Sequence, residues 1–375
     1  MRLMLITVVC GLIAHGTQAQ QYGTWETPFT KTSIWNTPIG SGAVYVDARI
    51  DEAFHRHYDS NEAACDRVTT EAVVLYRERS HYPKTEIYAS SWGNRCDPQT
   101  KLEHSIRFPP EFLYNSTPRT GSVEANGAWA FMWADGTLRA ATIFGRCRKG
   151  GPLLLPSWAF NRSTRVDGDG LIDASGHGAS GMSGLGGLLR IGELSSDEPI
   201  PHPLKLTWPA WAYAYFGDDR RGFRWPARLA DNYANRQDRY LGDRPELVMG
   251  SLLALPPNVA VPALSLTPIG KKLATTMQHY GVYLVEDCGP GPDENWERWQ
   301  LMIELDVGTG RSPLDEANAL GYQFLAGKGE DGDFKNDMNV LLPLLHIVDN
   351  NRPDSIGGGG TPLMDLPDSA PRLRD

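Results

Sequence analysis

Glycine and proline, 39 and 27 of 375 residues, are scattered along the whole chain instead of being gathered into linkers. Such punctuation suits many short strands joined by turns, so a mainly β fold is expected, a jelly-roll or β-sandwich with a few helices in the C-terminal half. No repeat of solenoid length is present. The clearest strand signal is Trp129, Phe131 and Trp133 alternating with alanines and Met132, then Asp135-Gly136, then the apolar run Thr137 to Phe144. Asp-Gly between two such runs predicts a type I′ hairpin, in which both central residues take positive φ. A second strand pair is expected from His202 to Trp208 and, after Pro209, from Trp211 to Tyr215.

Two helices carry start and stop signals. Thr267 caps a helix with Pro268 at its first position, an apolar stripe of Leu273, Met277 and Tyr280, and Gly281 as its stop. Ser312, Pro313, Asp315 and Glu316 open a second in the same style. Apolar residues make up 41% of the chain, enough to bury a large core, which excludes disorder along its length.

At the N-terminus, Arg2 precedes an apolar run from Leu3 to Ala14 and small residues up to Ala19, the pattern of a secretory signal peptide spanning 1–19. A secreted or periplasmic location follows. Beyond the leader no run of about 20 apolar residues occurs, so no membrane insertion is expected after cleavage. The formal charge is −9, and loss of Arg2 makes it more acidic, which argues against a nucleic-acid partner. Export also sets the redox context for Cys65, Cys96, Cys147 and Cys288. No CxxC spacing is present, and an oxidising compartment favours disulfides over thiolate ligands. Three pairings are allowed; Cys65 with Cys96 and Cys147 with Cys288 is favoured.

Residues 167–187 hold the densest cluster of unusual residues. Gly176, Gly178 and Gly181 match GxGxxG, but an acidic loop stands where a dinucleotide site needs a strand. Ser180 and Ser183 lack the flanking glycines of a nucleophile elbow. Asp167, Asp169 and Asp173, with Gly170 for the turn, form a candidate structural calcium loop, as readily an acidic surface turn; no cofactor is expected for catalysis. His177 projects from the glycine block, and His202 follows a strand carrying Arg190 and Glu193.

From Trp208 to Arg228, Trp208, Trp211, Tyr213, Tyr215, Phe223 and Trp225 interleave with Arg220, Arg221, Arg224 and Arg228. Sugar rings stack on aromatic faces and arginine clamps carboxylates, although at least half of these rings are expected in the core. Glu193, Asp231, Glu286, Asp287, Glu304 and Asp306 are the carboxylates available for acid–base work. Glu304 and Asp306 share a face of one strand, a spacing that resembles, incompletely, that of jelly-roll retaining glycosidases.

Ser33-Ile34-Trp35-Asn36-Thr37-Pro38-Ile39, the block from Gly176 to Glu193, and Gly357 to Pro362 resemble segments of secreted bacterial polysaccharide-active β-sandwich proteins of the jelly-roll lyase type. The resemblance implies one catalytic domain over 20–349; the Gly/Pro-rich stretch 350–375 reads as a flexible tail. The leading expectation is a polysaccharide lyase that cleaves a uronate-containing glycan by β-elimination. His177 or His202 would be the base, Arg190 or Arg224 the carboxylate clamp, and Tyr213 or Tyr215 the acid, with Trp208, Trp211 and Trp225 contacting the sugar. The alternatives are a glycoside hydrolase using paired carboxylates, with Glu304, Asp306 or Glu193 as candidates, and a calcium-dependent glycan-binding or structural envelope protein.

Overall fold

In the computed structural model the described residues are 22–52, 68–91, 94–113, 128–142, 144–155, 163–171, 176, 178–217, 221–288, 299–324 and 332–364. Their strands are β1 (Tyr45–Asp47), β2 (Val68–Arg77), β3 (Lys84–Ala89), β4 (Thr100–Arg107), β5 (Ala128–Met132), β6 (Thr137–Thr142), β7 (Leu153–Leu155), β8 (Thr164–Arg165), β9 (Leu204–Trp208), β10 (Leu252–Ala254), β11 (Val282–Asp287), β12 (Trp299–Asp306) and β13 (His346–Val348). The helices are α1 (Ala210–Tyr213), α2 (Pro268–His279), α3 (Pro313–Ala319) and α4 (Asp333–Leu341). Strand exceeds helix and most of the helix lies in the C-terminal half, as expected.

Ten strands form one sheet in the order β1-β13-β10-β11-β9-β12-β2-β5-β6-β8, and β4-β3-β7 form a second. The β9–β11, β12–β2 and β2–β5 pairs are parallel, whereas β9 and β12 run antiparallel. The two sheets meet as a sandwich. Val74 and Tyr76 of β2 and Trp129 and Phe131 of β5 pack with Ile87, Ile106, Phe108 and Leu153 beneath the small sheet. The alternate residues Val73, Leu75, Ala128 and Ala130 point into the larger core on the other face. The period-two pattern of β5 thus separates two apolar cores instead of core from solvent.

The β5–β6 hairpin forms where Asp135-Gly136 placed it, but only Gly136 has positive φ. Its loop is closed by Trp133 N–H donating to the Thr137 carbonyl, and the Asp135 carboxylate accepts from Thr137 N–H, so the turn is longer than a type I′ pair. Helix α2 begins with Thr267 Oγ1 accepting from Gly270 N–H, and the chain leaves it through Gly281 at φ 79°. Ser312 and Asp315 close a capping box on α3. Among the described residues no helix is long and apolar enough to cross a membrane.

Three expectations are corrected. Residues 210–213 are the helical turn α1, not a strand. Alanines and aromatics are both apolar, so their alternation carries no contrast between inside and outside to select a period. Cys96 is bonded to Cys147, which overturns the pairing of Cys65 with Cys96 and Cys147 with Cys288. Cys96 lies between β3 and β4 and Cys147 between β6 and β7, and the parallel β3–β7 pairing brings these connections together. Cys65 lies outside the described residues.

The third correction concerns the tail, whose first part is built into the fold. Gly40 and Gly42 donate to the carbonyls of Gly357 and Gly359, and Ser41 to that of Thr361. Gly357 to Gly360 all have positive φ, and a Cβ on Gly40 would stand 2.1 Å from the Gly359 carbonyl oxygen. Here consecutive glycines permit close backbone packing, not flexibility.

Candidate functional site

The glycine block crosses one face of the large sheet, and its composition follows from how closely it lies there. Lys205 of β9, fully buried, donates through Nζ to the carbonyls of Ser183 and Gly184 at 2.8 and 3.0 Å. A Cβ on Gly184 would meet Ala140, and one on Gly186 would stand 2.4 Å from the Trp35 ring. Trp35 donates through its indole N–H to the Gly170 carbonyl and sits edge-on to Tyr283. The segments around Trp35, the glycine block and the 357–361 loop therefore meet in space: Trp35 on Gly186 and Gly187, and Ile39 to Ala43 on the 357–361 loop.

Of the residues expected to catalyse β-elimination, the structure unites Arg190 and His202 with Glu193, and adds Glu304. Arg190 Nε donates to Glu304 Oε2 at 2.8 Å, and both side chains are more than nine-tenths buried. Leu189 N–H bonds the Met302 carbonyl and Glu304 N–H the Leu189 carbonyl, so the extended backbone aligns the pair. The same Glu304 oxygen accepts from Ile191 N–H, while Glu193 Oε2 accepts from Arg190 N–H. His202 places Nε2 at 2.8 Å from Glu193 Oε1 and Nδ1 at 2.9 Å from the Pro203 carbonyl. Both partners are acceptors, so the imidazolium, which donates from both nitrogens, is the form that satisfies them. Burial alone would lower its pKa, but the Glu193 carboxylate and these hydrogen bonds hold it above the ordinary 6.5. In this geometry neither ring nitrogen offers the lone pair a base needs. Arg190, likewise, already holds a carboxylate of its own chain.

One measurable consequence concerns pH. A group whose pKa rises on folding contributes stability that is complete below its unfolded value, near 6.5 for histidine, and is lost as pH rises through the folded value. Native His202 is expected to stabilise the fold more in mildly acid than in mildly alkaline buffer. Denaturant titrations at both should show this gap shrinking in His202→Gln; an equal gap in wild type and variant would remove His202 from the account.

The remaining elements of the expected cleft lie elsewhere. His202 precedes β9 and Tyr213 follows it, so the two flank a five-residue strand about 16 Å long. Trp208, Trp211 and Tyr213 are at most 2% exposed; Trp208 and Tyr213 pack on Trp299 at 6.0 and 5.3 Å. They are core, not a sugar platform. Tyr215 is half-buried and tied through its N–H to the Leu247 carbonyl. Arg224 donates to Asp349 and to the Glu246 carbonyl, and Trp225 packs against the core. His177 and Asp173 lie outside the described residues. Asp167 is engaged by Arg165 through both oxygens, at 2.7 and 3.1 Å, and Asp169 accepts from Leu171 N–H, so the expected calcium loop is held by its own hydrogen bonds. Among the described residues no group of three or more His, Cys, Asp or Glu is placed to hold a metal ion.

A second constellation lies at the carboxyl end of β9 and β11, under the start of the glycine block. A bulge after Leu284 turns Glu286 into register with Thr207, and Asp287 with Trp208. Asp287 accepts from Tyr233 OH at 2.8 Å and from Ala210 N–H at 3.0 Å; Asp231 accepts from Tyr240 OH at 2.8 Å. Glu71 of β2 accepts from Thr207 Oγ1 at 2.9 Å. Gly178, at φ 65°, lies so close that a Cβ would stand 2.1 Å from Glu286 Oε2. Burial, then repulsion from Asp231, Glu71 and Asp287, pushes Glu286 well above the carboxylate range. Burial raises Asp231 and Glu71 as well. All four carboxylates keep part of their surface open.

Several like charges crowded under partial burial retain protons, so the cluster presents a neutral carboxylic acid beside hydrogen-bonded carboxylates. That is the equipment of a proton donor with an adjacent acceptor. Asp231, Glu286 and Asp287 were visible in the sequence as available acids, but 54 residues separate Tyr233 from Asp287, and nothing local announces their meeting. Glu71, Tyr233 and Tyr240 carried no sequence signal. Comparison of the chain with protein families, with characterised proteins and with solved structures gives no match.

Proposed function

We propose that the protein is an exported carbohydrate-active enzyme that cleaves a polysaccharide by carboxylate acid–base hydrolysis, with Glu286 as proton donor and Asp287 or Asp231 as its partner. The observation that carries this reading is the crowding of Asp287, Asp231 and Glu71 near Glu286 at one sheet end, with Tyr233 donating to Asp287, which together with burial pushes Glu286 well above the carboxylate range. Glycoside hydrolysis uses such a division, one carboxyl group protonated and a second ionised. The leader-like N-terminus and the three segments resembling polysaccharide-active proteins supply the substrate class. Hydrolysis is favoured over β-elimination because His202 and Arg190 are engaged by Glu193 and Glu304.

The test is incubation of the secreted protein with a panel of neutral and uronate-containing glycans. New reducing ends without the ultraviolet absorbance of an unsaturated uronate are the expected outcome. Reducing ends accompanied by that absorbance would restore the lyase, and no product from any glycan would sink the enzyme reading.

A further inference from the structure

The acid cluster belongs to the large sheet; the small sheet carries a groove of its own. β7 takes up β3 from Ile87 onward, so among the described residues Lys84 to Glu86 have no strand on that side, and the chain from Arg148 to Pro152 runs past them on its way into β7. Between the two lies an open groove of about 410 Å³. The Cys96–Cys147 disulfide ties its walls together, since Pro98 follows one thiol and Arg146 and Arg148 flank the other.

Positive charge collects here in a chain whose formal charge is −9. Lys84, Arg146 and Arg148 line the groove, and Glu86 is the one carboxylate among its lining residues. Glu86 is already engaged, paired with Lys101 and accepting from Tyr88 OH at 3.1 Å. Among the described residues none of the three cations is in an ion pair. Lys84 and Arg148 are exposed, but Arg146 is only 1% exposed.

Arg146 is oriented without being neutralised. Its Nε donates to the Gly151 carbonyl at 2.9 Å and its Nη1 to the Pro109 carbonyl, and its guanidinium lies 5.6 Å from the Phe108 ring centre. Glu111, whose field favours the charged form, is itself exposed and held by Lys149 at 3.0 Å. A buried cation without a carboxylate is costly, and an anion seated in the groove would offset it. The groove has the size of sites that hold whole small molecules, and Tyr88, Pro98 and Pro152 offer apolar surface for the C–H face of a sugar.

We propose that this groove binds an acidic saccharide, with its carboxylate or sulfate group among Lys84, Arg146 and Arg148 and its ring against Tyr88. The choice of a saccharide rests on the reading of the protein as glycan-active; the need for an anion does not.

Ligand-observed NMR on the whole protein tests this with trigalacturonate for the carboxylate and a κ-carrageenan tetrasaccharide for the sulfate. Each is set beside its neutral counterpart, the methyl ester or the desulfated sugar, and inorganic sulfate serves as the bare ion. Saturable binding of at least one acidic sugar is expected, about tenfold tighter than its counterpart and weaker at high salt. Lys84→Gln/Arg148→Gln, at two exposed positions that leave the core intact, should weaken it about tenfold. Glu286→Gln should bind as wild type does, so loss of hydrolysis and loss of this site are told apart. No saturable binding of either acidic sugar, a neutral counterpart that binds as tightly, or an affinity unchanged in the double variant would each overturn the proposal. Inorganic sulfate binding as tightly as the sugars would overturn it too, leaving a site for a bare ion.

Discussion

Glu286→Gln is expected to lower glycan turnover by about 10²- to 10⁴-fold, the range associated with loss of a positioned proton donor, while the fold persists. The amide keeps the size of the side chain and replaces one neutral group by another, so the packing under Gly178 is preserved. What disappears is the transferable proton. The wild-type rate should fall as pH rises through the elevated pKa of Glu286, because only the acid form donates. Stability carries an independent signature. A carboxyl group whose pKa is raised by folding stabilises the native state while protonated and loses that contribution as pH rises through the folded value. The Gln variant has no such proton, so it should be more resistant to alkaline unfolding than wild type even as it loses activity. Steady-state rates and denaturant midpoints across pH check both. Unchanged turnover would exclude Glu286 as the donor, and a loss of activity accompanied by lower stability at every pH would mark it as a packing residue only.

Arg190→Ala is expected to cost about 3–5 kcal/mol of folding stability, among the largest effects of any single substitution in this chain. The reason is what remains behind. Glu304 is more than nine-tenths buried and would lose its cation, leaving only the Ile191 N–H to support it. The extended backbone at Leu189 would lose its reason to hold Ile191 against that carboxylate, and Gly192, whose N–H donates to Glu316, follows directly in the chain. Removing both charges is a different experiment. Arg190→Met with Glu304→Leu replaces the pair by apolar groups of similar size and should recover most of the loss, since a buried pair costs desolvation on both sides. Equilibrium denaturation of the two single variants and the double variant measures the coupling. A single-variant loss below about 1 kcal/mol would place the pair among solvent-screened bridges, contrary to its burial.

The parts of the fold that were legible are those governed by neighbours along the chain. The alternation of β5, the turn position at Gly136 and the caps at Thr267 and Ser312 all depend on residues within a few positions of one another. The misread parts involve a contest that local patterns do not decide. Residues 211–215 are apolar at every position, so period two and period 3.6 bury them equally well, and the hydrogen bond from Ala210 N–H to Asp287 favours the helical turn. The Gly357 to Gly360 run looked loose because glycine lowers local order in isolation. It is ordered because its bare backbone is the only kind that fits against Gly40 and Gly42.

Function was harder to read for a related reason. His202, Arg190 and Glu193 were singled out by residue type, and they do come together, yet type does not say whether a charge faces a substrate or another residue. Glu304, 114 positions from Arg190, decides that.

By itself, then, the sequence determined the mainly β character, the helix ends and the position of the hairpin, because each follows from backbone geometry and the order of polar and apolar residues. Only the tertiary structure decided which thiols join, which carboxylate answers which cation, and where acids crowd closely enough to raise the pKa of Glu286. Those outcomes depend on distances between residues far apart in the chain, and in a low-dielectric interior a few ångströms separate a structural ion pair from a proton donor.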